Sequence, residues 1–291
     1  MALTTFEYFA PPSIDEACRL LKKMGDGAMV MAGGTDLLVR IHNRLIRPKV
    51  IISLKKIEGL NRITFDPKQG LTIGATALLA DVAEHSFILK KYPAVAYAAQ
   101  ETATVQIRNM GTVAGNLCNA APSADNAPTL MAMGAEVALT STEGIRKLPL
   151  DQFFKGPGLT AMEQGEILTT ISVPLPSPFS GASYKHISPR GKVDISAVGI
   201  GAMVMMDGDI CKDARIVLGA VAPVPMRAGK TEKLIRGKRL TQELMARAGI
   251  HASKESKPIT DVRASSEYRR KMVEVLTGRA LWEAKQRALK K

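Results

Sequence analysis

Strand and helix signals alternate through the first fifty-five residues, and this alternation leaves the chain few folds to adopt. FEYF reads as a short strand. Ser13-Ile14-Asp15-Glu16 is a capping box, in which the serine hydroxyl and the glutamate carboxylate can each meet a free backbone N–H. The helix it opens carries Ile14, Ala17, Leu20, Leu21 and Met24 on one face, and Gly25 ends it. Ala28–Ala32 (AMVMA) reads as a buried strand, and Gly33-Gly34 turns it into a second helix with Leu37, Leu38, Ile41 and Leu45 on one stripe. Pro48 closes the connection to a strand at Val50–Leu54. A β-α-β-α-β unit of this kind requires a small parallel sheet.

The pattern changes at residues 57–176. RITF and LTIGA flank Asp66-Pro67-Lys68-Gln69-Gly70, a hairpin-like turn. Helices are expected near 79–90 and 93–103, then a small-residue loop at 111–124, a helix near 125–133, and strands at EVALTS and ILTTISVPLP. This is an α+β subdomain on a mixed or antiparallel sheet. SPFSG at 177–181 reads as a linker. Beyond it, GIGAMVMM and ICKDARIVLGAV flank Asp207-Gly208-Asp209 as a hairpin, and helices fill the remainder. In the last helix Tyr268, Met272, Val275, Leu276 and Trp282 fall on one stripe, which reads as core packing. The domains expected are 1–176, divided into 1–56 and 57–176, and 181–288.

At 291 residues the chain is long for one core, and 46% apolar with 23% charged residues is ordinary for a globular protein. No apolar run reaches the eighteen or so residues that cross a membrane. The N-terminal segment lacks the basic flank and apolar centre of a signal peptide, so a cytoplasmic location is expected. The three cysteines are scattered and form no CxxC, and the four histidines are isolated, so neither a disulfide framework nor a metal site in this chain is expected. Of the net charge of +13, residues 226–291 carry +11 (18 Lys/Arg against 7 Asp/Glu). That tail lacks aromatic interleaving for base stacking and reads as solvated helix faces or a docking surface for an acidic partner; nucleic acid is not expected.

Two small-residue segments carry the chemistry. In MAGGTDLL a strand runs into two glycines that let a ligand approach the main chain, and the first N–H groups of the next helix suit a phosphate. The spacing fits neither GxGxxG nor GxxxxGK[ST], and a plain βα turn also accounts for it. QIRNMGTVAGNLCNAAPSADNAP combines small residues (Gly111, Ala114, Gly115) with donors (Thr112, Asn116, Asn119) and an acceptor, Asp125. An irregular surface loop is the simpler reading, though a loop this long with so little charge is uncommon in that role.

Taken together, AGGTDLL, TVAGNLCNAAPSAD, GEIL and YKH resemble the FAD-binding medium subunit of the molybdenum hydroxylases, the xanthine dehydrogenase, carbon monoxide dehydrogenase and aldehyde oxidoreductase group. The resemblance extends through DARIVLGAVAPVPMRA and DVRASSEYRR and so covers essentially the whole chain. It implies an α+β fold: a two-subdomain FAD-binding domain of the vanillyl-alcohol-oxidase type, followed by a C-terminal domain with a small antiparallel sheet and helices. It also implies that Val30, Met31, Ala32, Gly33, Gly34, Thr35, Asp36 and Leu37, with Thr112, Val113, Ala114, Gly115 and Asn116, grip the FAD diphosphate and ribityl chain. Thr102 and Asp125 would make polar contacts with FAD, and Leu168 and Lys185 would lie near its flavin or adenine. One common family form has a second glycine where this chain has Ala114, and alanine resists a positive φ.

The same resemblance implies an oxidoreductase subunit with no acid, base or nucleophile of its own. The [2Fe–2S] clusters of a small subunit would pass it electrons from a molybdopterin-containing large subunit, and the electrons would leave to NAD or a quinone. A dimer of heterotrimers is the expected assembly. A cysteine-rich insert for a further cluster is lacking, and no covalent flavin attachment is expected. The alternative is a stand-alone FAD-dependent oxidoreductase of the same fold.

Overall fold

The computed structural model of the chain describes residues 5–191 and 194–290. Its first lobe is the unit read from the sequence: β1 (Glu7–Phe9), α1 (Ile14–Met24), β2 (Ala28–Met31), α2 (Leu37–His42) and β3 (Val50–Ser53). The strands form a parallel sheet in the order β1-β3-β2. The central strand, VIIS, is buried throughout, as a parallel strand covered on both faces must be. Ser13 caps α1 by accepting from Glu16 N–H at 3.2 Å, and Gly25 ends the helix at φ 57°. The stripe expected on α2 is not buried. Only Ile41 is, and the helix stops at His42, which leaves Leu45 beyond it and in solvent.

The second lobe begins with the hairpin β4 (Ile63–Asp66) and β5 (Gly70–Gly74). Six helices follow: α3 (Leu79–Glu84), α4 (Ser86–Lys91), α5 (Pro93–Glu101), α6 (Val105–Arg108), α7 (Val113–Cys118) and α8 (Asn126–Ala132). The chain then returns through β6 (Glu136–Ser141), β7 (Gly144–Pro149), the small ribbon β8 (Phe154–Gly156) and β9 (Leu159–Thr160), and β10 (Ile167–Val173). The main sheet is wholly antiparallel, ordered β4-β5-β10-β6-β7. The long helix expected over 79–90 breaks at His85, and the expected loop at 111–124 contains α7. Thr112 caps that helix by accepting from Gly115 N–H at 2.9 Å. Small residues there permit close helix packing, not only a flexible loop. One hydrophobic core runs through both lobes, and Cys18 on α1 reaches Thr140 O on β6 at 3.4 Å.

The remainder is a sheet ordered β11 (Ser180–Ile187), β12 (Val198–Asp207), β13 (Ile210–Gly219) and β14 (Met226–Arg227). All its pairings are antiparallel. Over it pack α9 (Gly229–Ile235), α10 (Gln242–Glu255) and α11 (Ser266–Leu289). Ser180 and Gly181, read as linker, already belong to β11, and Gly181 lies against the backbone of α11 at Ala284 and Ala288. On α11 the buried stripe is Val273, Leu276, Thr277, Ala280, Leu281, Ala284 and Ala288, whereas Tyr268 and Trp282 are exposed. Leu276 of the expected stripe is in it and Met272 packs against it, but the rest of the stripe is largely small residues, so large apolar side chains alone place its face only in part.

Close backbone contacts seat the C-terminal domain on α8, and a buried arginine braces that domain internally. Gly201 on β12 sits under the Pro128 carbonyl of α8, and Gly219 on β13 sits under the Pro128 ring. Arg269 on α11 is buried; its Nη1 donates to the carbonyl oxygens of Ala197 (2.7 Å) and Ala220 (2.8 Å), and its Nη2 to Asp261 Oδ1 (2.7 Å). The Arg263 N–H and the Arg269 guanidinium hold the Asp261 carboxyl down at about 2.

Gly201→Ala places a methyl on the Pro128 carbonyl and is expected to cost about 1–3 kcal/mol. Gly229→Ala, where a Cβ meets nothing within 4 Å, should be neutral or stabilising. Thermal unfolding of both variants checks this. Because the Asp261 value in the fold lies below its value of about 3.9 in the unfolded chain, its stabilisation is complete above pH ~4. It should be lost as pH falls toward 2, and Asp261→Asn should flatten that part of the stability–pH curve.

Candidate functional site

Strand β2 ends at Met31, and the chain turns through Ala32, Gly33, Gly34 and Thr35 before α2. Gly34 has φ 80°, which favours glycine, and Gly33 is buried. A Cβ on Gly33 would overlap the Met110 carbonyl oxygen and lie 2.8 Å from Gly111 Cα. The two glycine segments that the sequence separates by about eighty residues therefore touch backbone to backbone. Leu79 N–H fixes the second segment by donating to Gly111 O at 2.9 Å. The N–H groups of Gly33, Gly34 and Thr35 meet no protein acceptor among the described residues.

The junction opens into a cleft of about 490 Å³, within the range of small-molecule sites. Thirteen of the seventeen residues singled out from the sequence line it: Val30 through Leu37, Thr102, Thr112, Gly115, Asn116 and Asp125. Val113 and Ala114 are buried in the body of α7 and do not line it. Ala114 is helical and needs no positive φ, which removes the difficulty its side chain posed. Leu168 is buried in β10 opposite Leu139. Lys185 points to α11, where its Nζ pairs with Glu283 at 2.7 Å; neither residue is part of the cleft lining. A second cavity of about 470 Å³, which Tyr92, Met203 and Arg215 help to line, contains none of the seventeen.

The far wall is polar and buried. Asp125 precedes α8 but does not cap it. Its Oδ1 accepts from the Tyr184 hydroxyl and from the Ser196 hydroxyl, each at 2.6 Å. Burial pushes its carboxyl above the ordinary value, against the effect of those two donors. Burial also pushes the Tyr184 hydroxyl well up, and the neighbouring Asp125 adds to the shift. Thr102 accepts from Asn126 Nδ2 at 3.1 Å, and the same amide reaches Asn116 Oδ1 at 3.1 Å. Thr102 and Asn116 are thus joined beneath the cleft.

Sequence reasoning missed Ala103 and Ile195 in the lining, and Tyr184, His186, Ser196 and Glu101 behind Asp125. Ala103 has φ 50°, a left-handed conformation costing a non-glycine residue roughly 1 kcal/mol, and Arg108 holds it by donating to Ala103 O at 2.8 Å. No composition or motif marks that turn. His186 was quoted within YKH, but only the fold brings it near Asp125.

A two-lobed α+β domain with a backbone-lined cleft at the lobe junction, closed by a sheet-and-helix domain, defines the class of FAD-binding domains expected here. A family model described as the FAD binding domain in molybdopterin dehydrogenase matches residues 4–176, and one described as the CO dehydrogenase flavoprotein C-terminal domain matches residues 182–284. The glyceraldehyde dehydrogenase medium chain of Sulfolobus acidocaldarius is 31% identical over 278 residues, covering 96% of this chain and 98% of its own. The carbon monoxide dehydrogenase medium chain of Afipia carboxidovorans is 33% identical over 285 residues, 98% of each chain. Among solved structures, carbon monoxide dehydrogenase from Hydrogenophaga pseudoflava superimposes with a TM-score of 0.95 at 31% identity, covering 99% of both chains. The chain belongs to the FAD-binding medium-chain family of the xanthine and carbon monoxide dehydrogenase type of molybdenum hydroxylase.

Gly33→Ala should force the two loops apart and lower the flavin content of the purified chain by on the order of tenfold, because the obstruction is backbone and no rotamer relieves it. Flavin absorbance per chain measures this. Equal occupancy in wild type and variant would remove the loop junction from the binding site.

Proposed function

We propose that the cleft is the FAD site of an electron-transfer subunit. The observation that carries this reading is the junction of Gly33 with Met110 and Gly111, which leaves three N–H groups without an acceptor among the described residues beside an open cleft. The N–H groups of Gly33, Gly34 and Thr35, with the Thr112 and Asn116 side chains, would hold the diphosphate and ribityl chain. The free oxygen of Asp125 would accept from a hydroxyl or ring N–H of FAD. Half-buried Val30 and the aliphatic lining would exclude water from one side. FAD supplies redox chemistry that takes electrons singly and releases them in pairs, and no side chain of the cleft need act as acid, base or nucleophile.

The relatives named above are medium chains of dehydrogenases, and this supports a corresponding place here. This chain would receive electrons from the [2Fe–2S] clusters of a small subunit, fed by a molybdopterin-containing large subunit, and pass them to NAD or a quinone. It would work in a dimer of heterotrimers in the cytoplasm. Among the described residues no helix is long and apolar enough to cross a membrane.

Native purification should yield this chain with two further subunits, FAD, iron and molybdenum, and the full chain produced alone should take up about one FAD. Substrate turnover by the isolated chain would instead favour a stand-alone oxidoreductase. Failure to take up FAD would overturn the assignment of the cleft.

A further inference from the structure

Behind Asp125 runs a chain of hydrogen bonds that the FAD site does not by itself require. Ser196 Oγ donates to Asp125 Oδ1 at 2.6 Å, His186 Nδ1 lies 3.0 Å from Ser196 Oγ, and His186 Nε2 lies 3.1 Å from Glu101 Oε2. The His186 and Glu101 side chains are only 11% and 9% exposed, so water does little to soften this proton arrangement. Tyr184, the other donor to Asp125, stacks on His186 with ring centres 5.7 Å apart and planes 6° from parallel.

The direction of the chain follows from counting protons. A serine hydroxyl has one proton, and Ser196 gives it to Asp125. His186 Nδ1 must then be the donor to Ser196. The Nε2–Glu101 contact is a hydrogen bond only if a further proton lies between those two groups. Without that proton the imidazole keeps its single N–H on the side of the Glu101 carboxylate. Nδ1 then becomes an acceptor and draws the Ser196 proton away, and Asp125 loses one of its two donors.

We propose that Glu101, His186 and Ser196 are positioning residues for FAD: a proton shared between Glu101 and His186 directs Ser196 toward Asp125 and so fixes the carboxylate that meets the cofactor. This rests on the cleft being the FAD site. Among the described residues, the titratable groups shown to act on His186 are Glu101 from α5, Asp125 before α8 and Tyr184 beside it on β11, and Tyr97 on α5 packs on Tyr184 and lies near Glu101. On the other side of β11, Lys185, Glu283 and Arg287 are paired with one another. Loss of the shared proton at higher pH therefore weakens FAD binding, and lower pH strengthens it until the carboxylates themselves are protonated.

The test is titration of the full-length apoprotein with FAD, followed by flavin fluorescence at pH ~6 and ~8.5. Wild type should bind several-fold more tightly at the lower pH. Glu101→Gln is the informative variant. Its amide can donate to Nε2 of a neutral imidazole, which keeps Nδ1–H on Ser196, so it should bind tightly at both pH values and lose the pH dependence. His186→Phe and Ser196→Ala should bind roughly tenfold more weakly. If Asp125→Ala weakens FAD but His186→Phe and Ser196→Ala do not, the positioning role is wrong and the site stands. If Asp125→Ala binds FAD as wild type does, the site assignment fails and the positioning role with it. A Glu101→Gln protein with the wild-type pH dependence also overturns the proposal.

Discussion

The contact of Gly33 with the Met110 carbonyl and Gly111 Cα is the constraint on which the site depends. It joins two lobes with different sheets, one parallel and one antiparallel, at a point where Gly33 has no room for a side chain. Each partner is anchored from behind by backbone. Leu54 N–H donates to Met31 O at 2.9 Å, and Leu79 N–H to Gly111 O at the same distance. The walls of the cleft are therefore set by main chain belonging to the shared core, not by rotamers that would have to be ordered on binding. A ligand there avoids much of the entropic cost of arranging its own contacts.

The third domain supplies what the two lobes lack. Asp125 stands at the end of the segment that leads into α8, and α8 is held against β12 and β13 by the bare faces of Gly201 and Gly219 under Pro128. That seating lets Tyr184 and Ser196 reach Asp125 from strand β11 and from the connection into β12. The buried Arg269, bound to the carbonyl oxygens at Ala197 and Ala220, ties the longest helix to the same strand ends. A guanidinium in that position is costly to bury and costly to lose, so the register of α11 on the sheet is strongly specified.

The first lobe was legible in the sequence because its strands and its first helix each follow one clean period and one recognisable cap, as Ser13 and Gly25 show. The hairpins at Asp66–Gly70 and Asp207–Asp209 were legible for the same local reason. Features set by distant partners were not. Leu38 and Leu45 look like a core stripe, but they are 36% and 70% exposed; Trp282 looks like a core residue on α11, yet it faces solvent while Leu276 and a run of smaller side chains meet the sheet. The unusual composition of the two loops drew attention to them, and the family resemblance named the residues within them. The proton chain from Glu101 to Asp125 could not be named, since Glu101, His186 and Ser196 are ordinary residues in ordinary segments until the fold brings them together.

The side-chain charge of the cleft bears on how it could hold an anion. Among the described residues its lining contains one cation, Arg40, against Asp36, Asp125 and Asp194. No cluster of lysines or arginines is present to neutralise a diphosphate, and the carboxylates alone would repel it. On the proposed reading, attraction must come from peptide dipoles: the N–H groups at Gly33, Gly34 and Thr35, helped by the hydroxyl and amide of Thr112 and Asn116. Such a site responds sharply to the shape of the backbone and weakly to the charge of the surface. On that reading a single methyl at Gly33 is expected to be a graver change than the loss of any charged side chain in the cleft except Asp125. The same arrangement also explains why Asp125, placed among dipoles arranged for anions, is tied down by two hydroxyl donors on one oxygen so that its other oxygen can serve as an acceptor.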